Sequence, residues 1–463
     1  MRNMLPSLSA LEDSAAAVSS TITRRIERRP MWVRTLVLAL VFTVLSTIVA
    51  YRFIAAHAAL SFQDEYVYLD AVDKAARGIV TRTNATVDEY AMRIISCRGV
   101  ELFGYQGSAC GAPLDPAQFP YDGYTTAPIH SPLYFFLTAW LAKGILFFFP
   151  GEELVQVARV TGALWLGLGL TASWRFIRAL KGSRTMALTL CLLILASPQI
   201  RWSNFYITPD AFSLLAGALI MLAALKLVRG EWSAWPLVLI SLFMTMIKFQ
   251  MVFATGAALL FVIVWQFLHR ADRPRWWKPI AWSGLATLLA LAAQFSYQKL
   301  RYVYALPYSG DNDPVDPVGD YSLRFAAEQL DNFILNLYMG TGARHQAYTF
   351  YVGLPHAMVT LAGLLLVSGV VAVCFFRIET SREVRTLAHT LLFSTIIIGP
   401  LFYTYINVTT GSEFDLPPRY AEALFPLYCV GLPMVVKNRW TQWAMLVFSL
   451  LVLASALITN DLL

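Results

Sequence analysis

Long apolar runs separated by short polar breaks organise the whole chain. The first covers about Trp32 to Ile54, close to the roughly 20 residues a helix needs to cross a bilayer. Further runs of spanning character occupy Val160–Ile177, Met186–Ile200, Pro209–Val228, Pro236–Ile247, Met251–Leu268 and Pro279–Gln298. Val352–Phe376, Leu387–Ile406, Tyr420–Val436 and Trp440–Ile458 complete the set. Backbone groups in lipid must be satisfied internally, and the short alternating strands of an outer-membrane barrel do not occur, so the pattern predicts helices. The expected fold is an all-α polytopic membrane protein of about eleven transmembrane helices.

Charge orients the spans. Arg24, Arg25, Arg28 and Arg29 precede the first run and place the amino end in the cytoplasm under the positive-inside rule. The Arg175–Arg178–Lys181–Arg184 cluster, the HRADRPRWWK segment and Arg377, Arg382 and Arg385 then fall on the same side, with the carboxyl end outside. Ser131–Phe149 is apolar enough to be counted as a span. Were it one, the Arg175–Arg184 cluster would lie outside, so it is read as an interfacial helix interrupted by Lys143. Residues 1–31 form a cytoplasmic tail and 32–463 a single membrane domain, with external loops at 55–159 and 299–351. No cleavable signal peptide is expected, and the location is an inner or plasma membrane crossed many times.

Composition agrees. The chain is 57% hydrophobic and 14% charged, too apolar for a soluble protein. Its net charge of +7 is spread over inter-span clusters and not gathered with aromatics on one face, which excludes nucleic acid as partner. Cys191, Cys374 and Cys429 lie within apolar runs, whereas Cys97 and Cys110 share the first polar loop and suit a disulfide in an oxidising compartment.

Candidate chemistry collects at one side. Asp64 and Glu65 stand where the chain leaves the first span, in SFQDEYVYLDAVDKAARG. Acids there can be solvated helix caps. At the head of an amphipathic helix they also suit a general base acting on an acceptor hydroxyl. His130, before the helix start Ser131-Pro132-Leu133-Tyr134, fits either a structural entry or a ligand for a phosphate oxygen, a metal or a sugar hydroxyl. Lys248 divides two apolar runs and either snorkels or meets a lipid-linked phosphate. Arg419-Tyr420 enters the penultimate span behind Pro417-Pro418, as an anchor or an anion contact. Asp210 is either part of a complete helix-start signal with Thr208 and Pro209 or a substrate contact, and Arg344 and His345 are either ordinary loop residues or acceptor-side or phosphate contacts. Metal-ligand spacing is lacking: Asp311, Asp313, Asp316 and Asp320 depart from a calcium loop, and no glycine-rich phosphate loop supports direct ATP use. A divalent cation, Mg²⁺ or Mn²⁺, is compatible with the acids but not required by them.

The order of these features resembles the GT-C glycosyltransferases, polytopic enzymes that use polyprenyl-phosphate sugars and include protein O-mannosyltransferases and lipid A aminoarabinose transferases. The acidic pair is similar to the Asp-Glu motif of their first loop and implies Asp64 as the catalytic base, with Glu65 beside it as the second catalytic residue. His130-Ser131-Pro132-Leu133-Tyr134 is similar to their His-Pro-Pro-Leu-Tyr pattern, with Ser131 replacing a proline. Lys248 and Arg419 correspond to lipid-phosphate contacts. The resemblance implies inverting transfer from a polyprenyl-phosphate sugar, held among membrane lipids, to an extracytoplasmic hydroxyl on a glycan, lipid or protein. Unlike many relatives, no soluble external domain follows the spans. The competing expectation is a transporter or flippase of lipid-linked glycans, which would place polar residues at broken helices near the bilayer midplane.

Overall fold

A computed structural model describes residues 30–62, 64–272, 274–308, 321–334, 336–340, 354–411 and 415–459. The amino-terminal tail through residue 29, the aspartates between 311 and 320, and Arg344 and His345 lie outside the described residues.

Helices carry the described chain, and no strand occurs among them beyond isolated bridges. They are α1 (Met31–Ala56), α2 (Glu65–Ala76), α3 (Glu89–Arg98), α4 (Pro132–Phe148), α5 (Leu154–Ala179), α6 (Arg184–Ala196) and α7 (Pro198–Phe205). There follow α8 (Ser213–Val228), α9 (Trp235–Ile247), α10 (Val252–Leu268), α11 (Trp277–Val303), α12 (Leu323–Ile334), α13 (Leu354–Phe375), α14 (Arg382–Thr410) and α15 (Arg439–Thr459). Among the described residues eight helices are long and apolar enough to cross a membrane, or nine when the bent pair α6–α7 is taken as one span. The chain is therefore an integral membrane protein.

The expected eleven spans are not all found, for three local reasons. Met186–Ile200 is interrupted because Pro198 disfavours helical backbone at Ser197, and α6 and α7 meet at 64°. The 13-residue α9 reaches only about 20 Å, short of a bilayer core of about 30 Å. Tyr420–Val436 breaks into short turns because Pro418, Pro426 and Pro433 each begin a new one, and proline cannot continue the helix before it. The 17-residue α4 is likewise below spanning length and leaves Trp140, Phe147 and Phe148 exposed at its sides and end.

α5 is the hub of the first half. It packs along α1 and also touches α4, α6, α7 and α8. Lipid provides no hydrophobic drive between helices, so close backbone approach does much of the packing. At Gly162 an added Cβ would sit 1.5 Å from the Asn204 carbonyl, so α5 and α7 touch backbone to backbone. Gly217 on α8 meets the segment Pro418–Leu424 in the same way, with the Ala423 carbonyl 1.9 Å from a notional Cβ. The outer face of α1, with Leu36, Leu40, Val44 and Ile48, remains exposed, as a lipid-facing stripe should.

The first loop is folded and fastened. Cys97 and Cys110 form a disulfide. The Leu60 amide donates to the Gly99 carbonyl (2.9 Å), and the Glu101 amide returns to Leu60 (2.8 Å). His57 Nδ1 lies 2.7 Å from Glu101 Oε1. Buried Asp70 accepts from Lys74 Nζ (2.7 Å) and from the Asp88 amide (2.8 Å). Its burial raises the carboxyl above the ordinary range, with Lys74 opposing.

Gly217→Ala should lower stability by about 1–3 kcal/mol, because the new methyl meets a backbone carbonyl and not a movable side chain. Gly256→Ala, where nothing lies within 4 Å, should be neutral or stabilising. Thermal unfolding of both purified variants checks the pair; equal effects would overturn the packing account.

Candidate functional site

Five backbone breaks converge: the turn from α1 into α2, the entry to α4, the α7–α8 junction, the α9–α10 junction and Pro418–Leu424. Each is a place where a polar residue interrupts an apolar run, and together they bring six of the sequence-predicted residues into one cluster.

Asp64 stands in the left-handed region, φ 57°, immediately before α2. Its carboxylate lies 3.4 Å from Arg419 Nη2 and is 27% exposed. Arg419 also reaches Asp210 (Nε to Oδ2 3.7 Å) and lies over the rings of Trp202 (5.3 Å) and Tyr420 (5.6 Å). Asp210, 1% exposed, forms a buried ion pair with Lys248 and accepts from the Thr208 hydroxyl at 2.9 Å. Lys248 Nζ in turn lies 5.0 Å from the centre of the Tyr420 ring. Two carboxylates and two cations thus balance, with Asp64 the most exposed of the four.

His130 joins through a tyrosine. The Tyr68 hydroxyl lies 3.0 Å from His130 Nε2 and 3.4 Å from Asp64 Oδ2. With the ring hydrogen on Nε2, the chain runs from His130 to Tyr68 to Asp64, each donating to the next. Burial, reinforced by Lys248, pushes His130 down to about 3, so the ring is neutral at physiological pH. Burial, then the Asp64 carboxylate, holds the Tyr68 phenol well above its ordinary value, so it stays a donor. The arrangement presents a carboxylate at an opening, oriented by the Tyr68 hydroxyl and the Arg419 guanidinium, both of which stabilise its charged form.

Glu65 does not face this opening and is corrected here as a candidate catalytic group. It is fully buried, and Arg159 holds it bidentately: Nε to Oε1 and Nη2 to Oε2 are both 2.7 Å. It also accepts from the backbone amides of Ser61 (2.7 Å) and Ile207 (3.0 Å). A carboxylate with every accepting position occupied is a structural tie. Tyr134 is also inside, packed edge-on against Phe212 at 6.2 Å. No group of three or more His, Cys, Asp or Glu side chains disposed to hold a metal ion occurs among the described residues.

Several residues that belong to the site were not singled out from the sequence. Tyr68 is one helical turn from Asp64, a spacing that places both on one face. Glu422 follows Arg419 by three residues within a 3₁₀ segment, which repeats every three. It is fully buried and accepts from Gln199 Nε2 at 2.6 Å and from the Ser203 hydroxyl.

An apolar cavity of about 1140 Å³ opens beside the cluster, between α4, α9 and α11. Ser131 and Met246, in its wall, are one residue from His130 and two from Lys248. Tyr297 on α11 fixes that corner, its hydroxyl 2.6 Å from the His130 carbonyl. One rim of the cavity is polar: Thr81, Arg82, Thr83 and Arg301. The hydroxyls of Thr81 and Thr83 and Nε of Arg301 have no hydrogen-bond partner among the described residues. Arg301 donates to the Tyr302 hydroxyl (2.8 Å), but no described carboxylate pairs with it.

Fold and site together define an integral membrane protein with a neutralised charge cluster at helix ends, next to an apolar cavity. No family model and no curated protein matches the chain. Among solved structures it is similar to ArnT from Cupriavidus metallidurans bound to undecaprenyl phosphate, at 14% identity over 89% of this chain and 62% of that one, TM-score 0.45. The apo state of the same protein gives 15%, 88%, 61% and 0.43. The chain spans less than two thirds of the length of those structures.

Glu65→Gln should destabilise the fold by roughly 3–5 kcal/mol, since it leaves the Arg159 charge buried without its partner, whereas Asp64→Asn should leave the melting temperature near wild type. Equal melting temperatures for the two variants would contradict the assigned roles. His130 supplies a pH signature. The unfolded chain takes up a proton near pH 6.5 that the folded protein refuses until about 3, so stability is full above 6.5 and falls through that window. His130→Gln should flatten melting temperature against pH between 6.5 and 4, by up to roughly 1.4 kcal/mol per pH unit.

Proposed function

We propose that the protein is an inverting glycosyltransferase that moves a sugar from a polyprenyl-phosphate donor to an acceptor hydroxyl, on the extracytoplasmic side of the membrane. The observation that carries this reading is the half-open Asp64 carboxylate, braced by Arg419 and by the Tyr68–His130 chain, together with an apolar cavity of cationic rim whose wall includes Ser131, the neighbour of His130. The cavity exceeds the range of about 300–1,000 Å³ usual for small ligands and suits an isoprenoid chain. Undecaprenyl phosphate, present in one of the similar structures, belongs to the same ligand class.

The donor's tail occupies the cavity and its phosphate lies at the polar rim. Arg301 and Arg82 meet the phosphate there, with the Thr81 and Thr83 hydroxyls as further donors, since an Arg fork matches phosphate oxygens well. Lys248 and Arg419, tied to Asp210 and Asp64, stabilise the charge that grows as the phosphate departs. Asp64 takes the proton of the acceptor hydroxyl as its oxygen attacks the anomeric carbon. The carbon–oxygen bond to phosphate breaks on the opposite side, and polyprenyl phosphate leaves with the electron pair. Attack opposite the leaving group inverts the anomeric centre. Cavity and rim supply the orientation that makes this a one-step displacement.

One observation favours a second reading, a flippase of lipid-linked glycans. The 64° break between α6 and α7 sets buried Gln199 and Ser203 against buried Glu422, a broken helix with polar groups inside the bundle. The two readings separate in reconstituted vesicles: a transferase changes the mass of its acceptor, and a flippase only moves its lipid.

Asp64→Asn should reduce transfer about 10²–10⁴-fold while the protein stays folded. Arg301→Gln should weaken use of the lipid donor roughly 10–100-fold, chiefly in KM, by removing a charge-assisted contact. Mass spectrometry of lipid co-purified with the wild type should find a polyprenyl phosphate or its sugar ester. Near wild-type transfer by Asp64→Asn would remove it as the base.

A further inference from the structure

A second cavity, of about 310 Å³, lies at the other end of the bundle, between α10 and the start of α14. α10 begins four residues after Lys248, and its 17 residues separate this cavity from the catalytic cluster by about 25 Å. The cavity has an apolar floor of Leu260, Val264 and Phe393. Its rim is basic: Arg382, Arg385 and His389 are spaced by three and four along α14, so they share one helix face.

Neither Arg382 nor Arg385 is paired with a carboxylate among the described residues. Glu383, the acid within their own turn, is held by Arg229, Nε to Oε1 2.9 Å and Nη2 to Oε2 2.5 Å. Nor does any described carboxylate pair with His389. Arg385 donates to the Ile378 carbonyl (3.0 Å), and His389 Nδ1 to that of Arg385 (2.8 Å). Thr390 adds an independent observation. It is 2% exposed, lines the cavity, and its hydroxyl has no hydrogen-bond partner among the described residues. A buried hydroxyl without a partner costs free energy unless a ligand supplies one.

We propose that this cavity binds an anionic glycerophospholipid of the surrounding bilayer. Its headgroup phosphate lies between Arg382 and Arg385, an ester oxygen accepts from Thr390, and the first acyl methylenes cover Leu260, Val264 and Phe393. Apolar floor and cationic rim are complementary to a membrane phospholipid, whose charge and chain are adjacent in one molecule. A free phosphate would leave the floor uncovered. The site is separate from the glycosyl-transfer reading and stands without it.

The test is native mass spectrometry of the full chain released from nanodiscs of mixed phosphatidylglycerol and phosphatidylcholine. The wild type should retain phosphatidylglycerol with about tenfold preference. Arg382→Gln with Arg385→Gln should bring the preference close to one, and Thr390→Val should reduce it by itself. Arg275→Gln, an exposed cation outside the cavity, should leave it unchanged. Melting in pure phosphatidylcholine verifies that the double variant folds; if it does not, Arg385→Gln and Thr390→Val decide separately. No preference in the wild type would overturn the proposal, as would an equal loss in Arg275→Gln, which marks diffuse surface charge. Displacement of the lipid by millimolar glycerol phosphate would overturn the lipid assignment in favour of a soluble anion.

Discussion

The ion pair between Glu65 and Arg159 holds the site end of this protein together. One guanidinium donates to the carbonyls of His57 (2.7 Å) and Ala59 (2.8 Å), at the end of α1, and to Glu65 at the start of α2. Glu65 in turn accepts from the amides of Ser61 and Ile207. Three stretches remote in sequence, 57–65, Arg159 and Ile207, are therefore joined through two side chains, both essentially inaccessible to water. Such a pair stabilises only when its remaining donors and acceptors are filled, and here they are. Asp64 depends on this tie. It occupies a left-handed backbone conformation, which costs about 1–2 kcal/mol for a residue with a Cβ, although Asp tolerates it better than most. The neighbouring knot fixes the turn and aims adjacent carboxylates in opposite directions, one into the interior and one at the opening.

That division explains what the sequence could and could not reveal. Apolar runs of near-bilayer length identified the long helices, because period and length are local properties. Asp64, Asp210, Lys248 and Arg419 were legible for a related reason: each interrupts or begins an apolar run, and charge at such a place needs an explanation. Glu65 looked equivalent to Asp64 because adjacency says nothing about a left-handed turn, and its partner is 94 residues away. The span count erred where proline placement outweighed hydropathy, at Pro198 and between Pro418 and Pro433. Arg301 fell in a loop by hydropathy, whereas α11 continues past it and carries it to the cavity rim.

The charge balance of the cluster restricts any chemistry assigned to it. Lys248 and Arg419 are matched by Asp210 and Asp64, so the group is close to neutral as it stands. Opposite charges about 4 Å apart attract by about 4 kcal/mol at an effective dielectric of 20, so an incoming phosphate competes with resident carboxylates for these cations. A ground-state phosphate is better met by Arg301, which has no described carboxylate partner. Under the proposed transfer the buried cations act mainly when charge moves: protonation of Asp64 would weaken its hold on Arg419 and free that guanidinium for the departing phosphate. On that reading proton uptake and leaving-group stabilisation are coupled through one side chain, which favours the transition state over the bound substrate.

The two ends of the bundle thus treat charge oppositely. At the site end the buried cations Arg159, Lys248 and Arg419 each face a carboxylate, and the most exposed charge of the Asp64–Asp210–Lys248–Arg419 cluster is an acid. At the far end Arg382 and Arg385 are exposed and lack carboxylate partners among the described residues. α10 links the two, with Lys248 just before its first turn and Leu268 at its last. The end of α10 beside Lys248 is fixed by a buried ion pair, whereas Val264 and Leu268 near the other end line the basic cavity and meet whatever surroundings fill it. In a membrane those surroundings are lipid, and the cations at that end select the charge of the lipid that can supply the missing contacts.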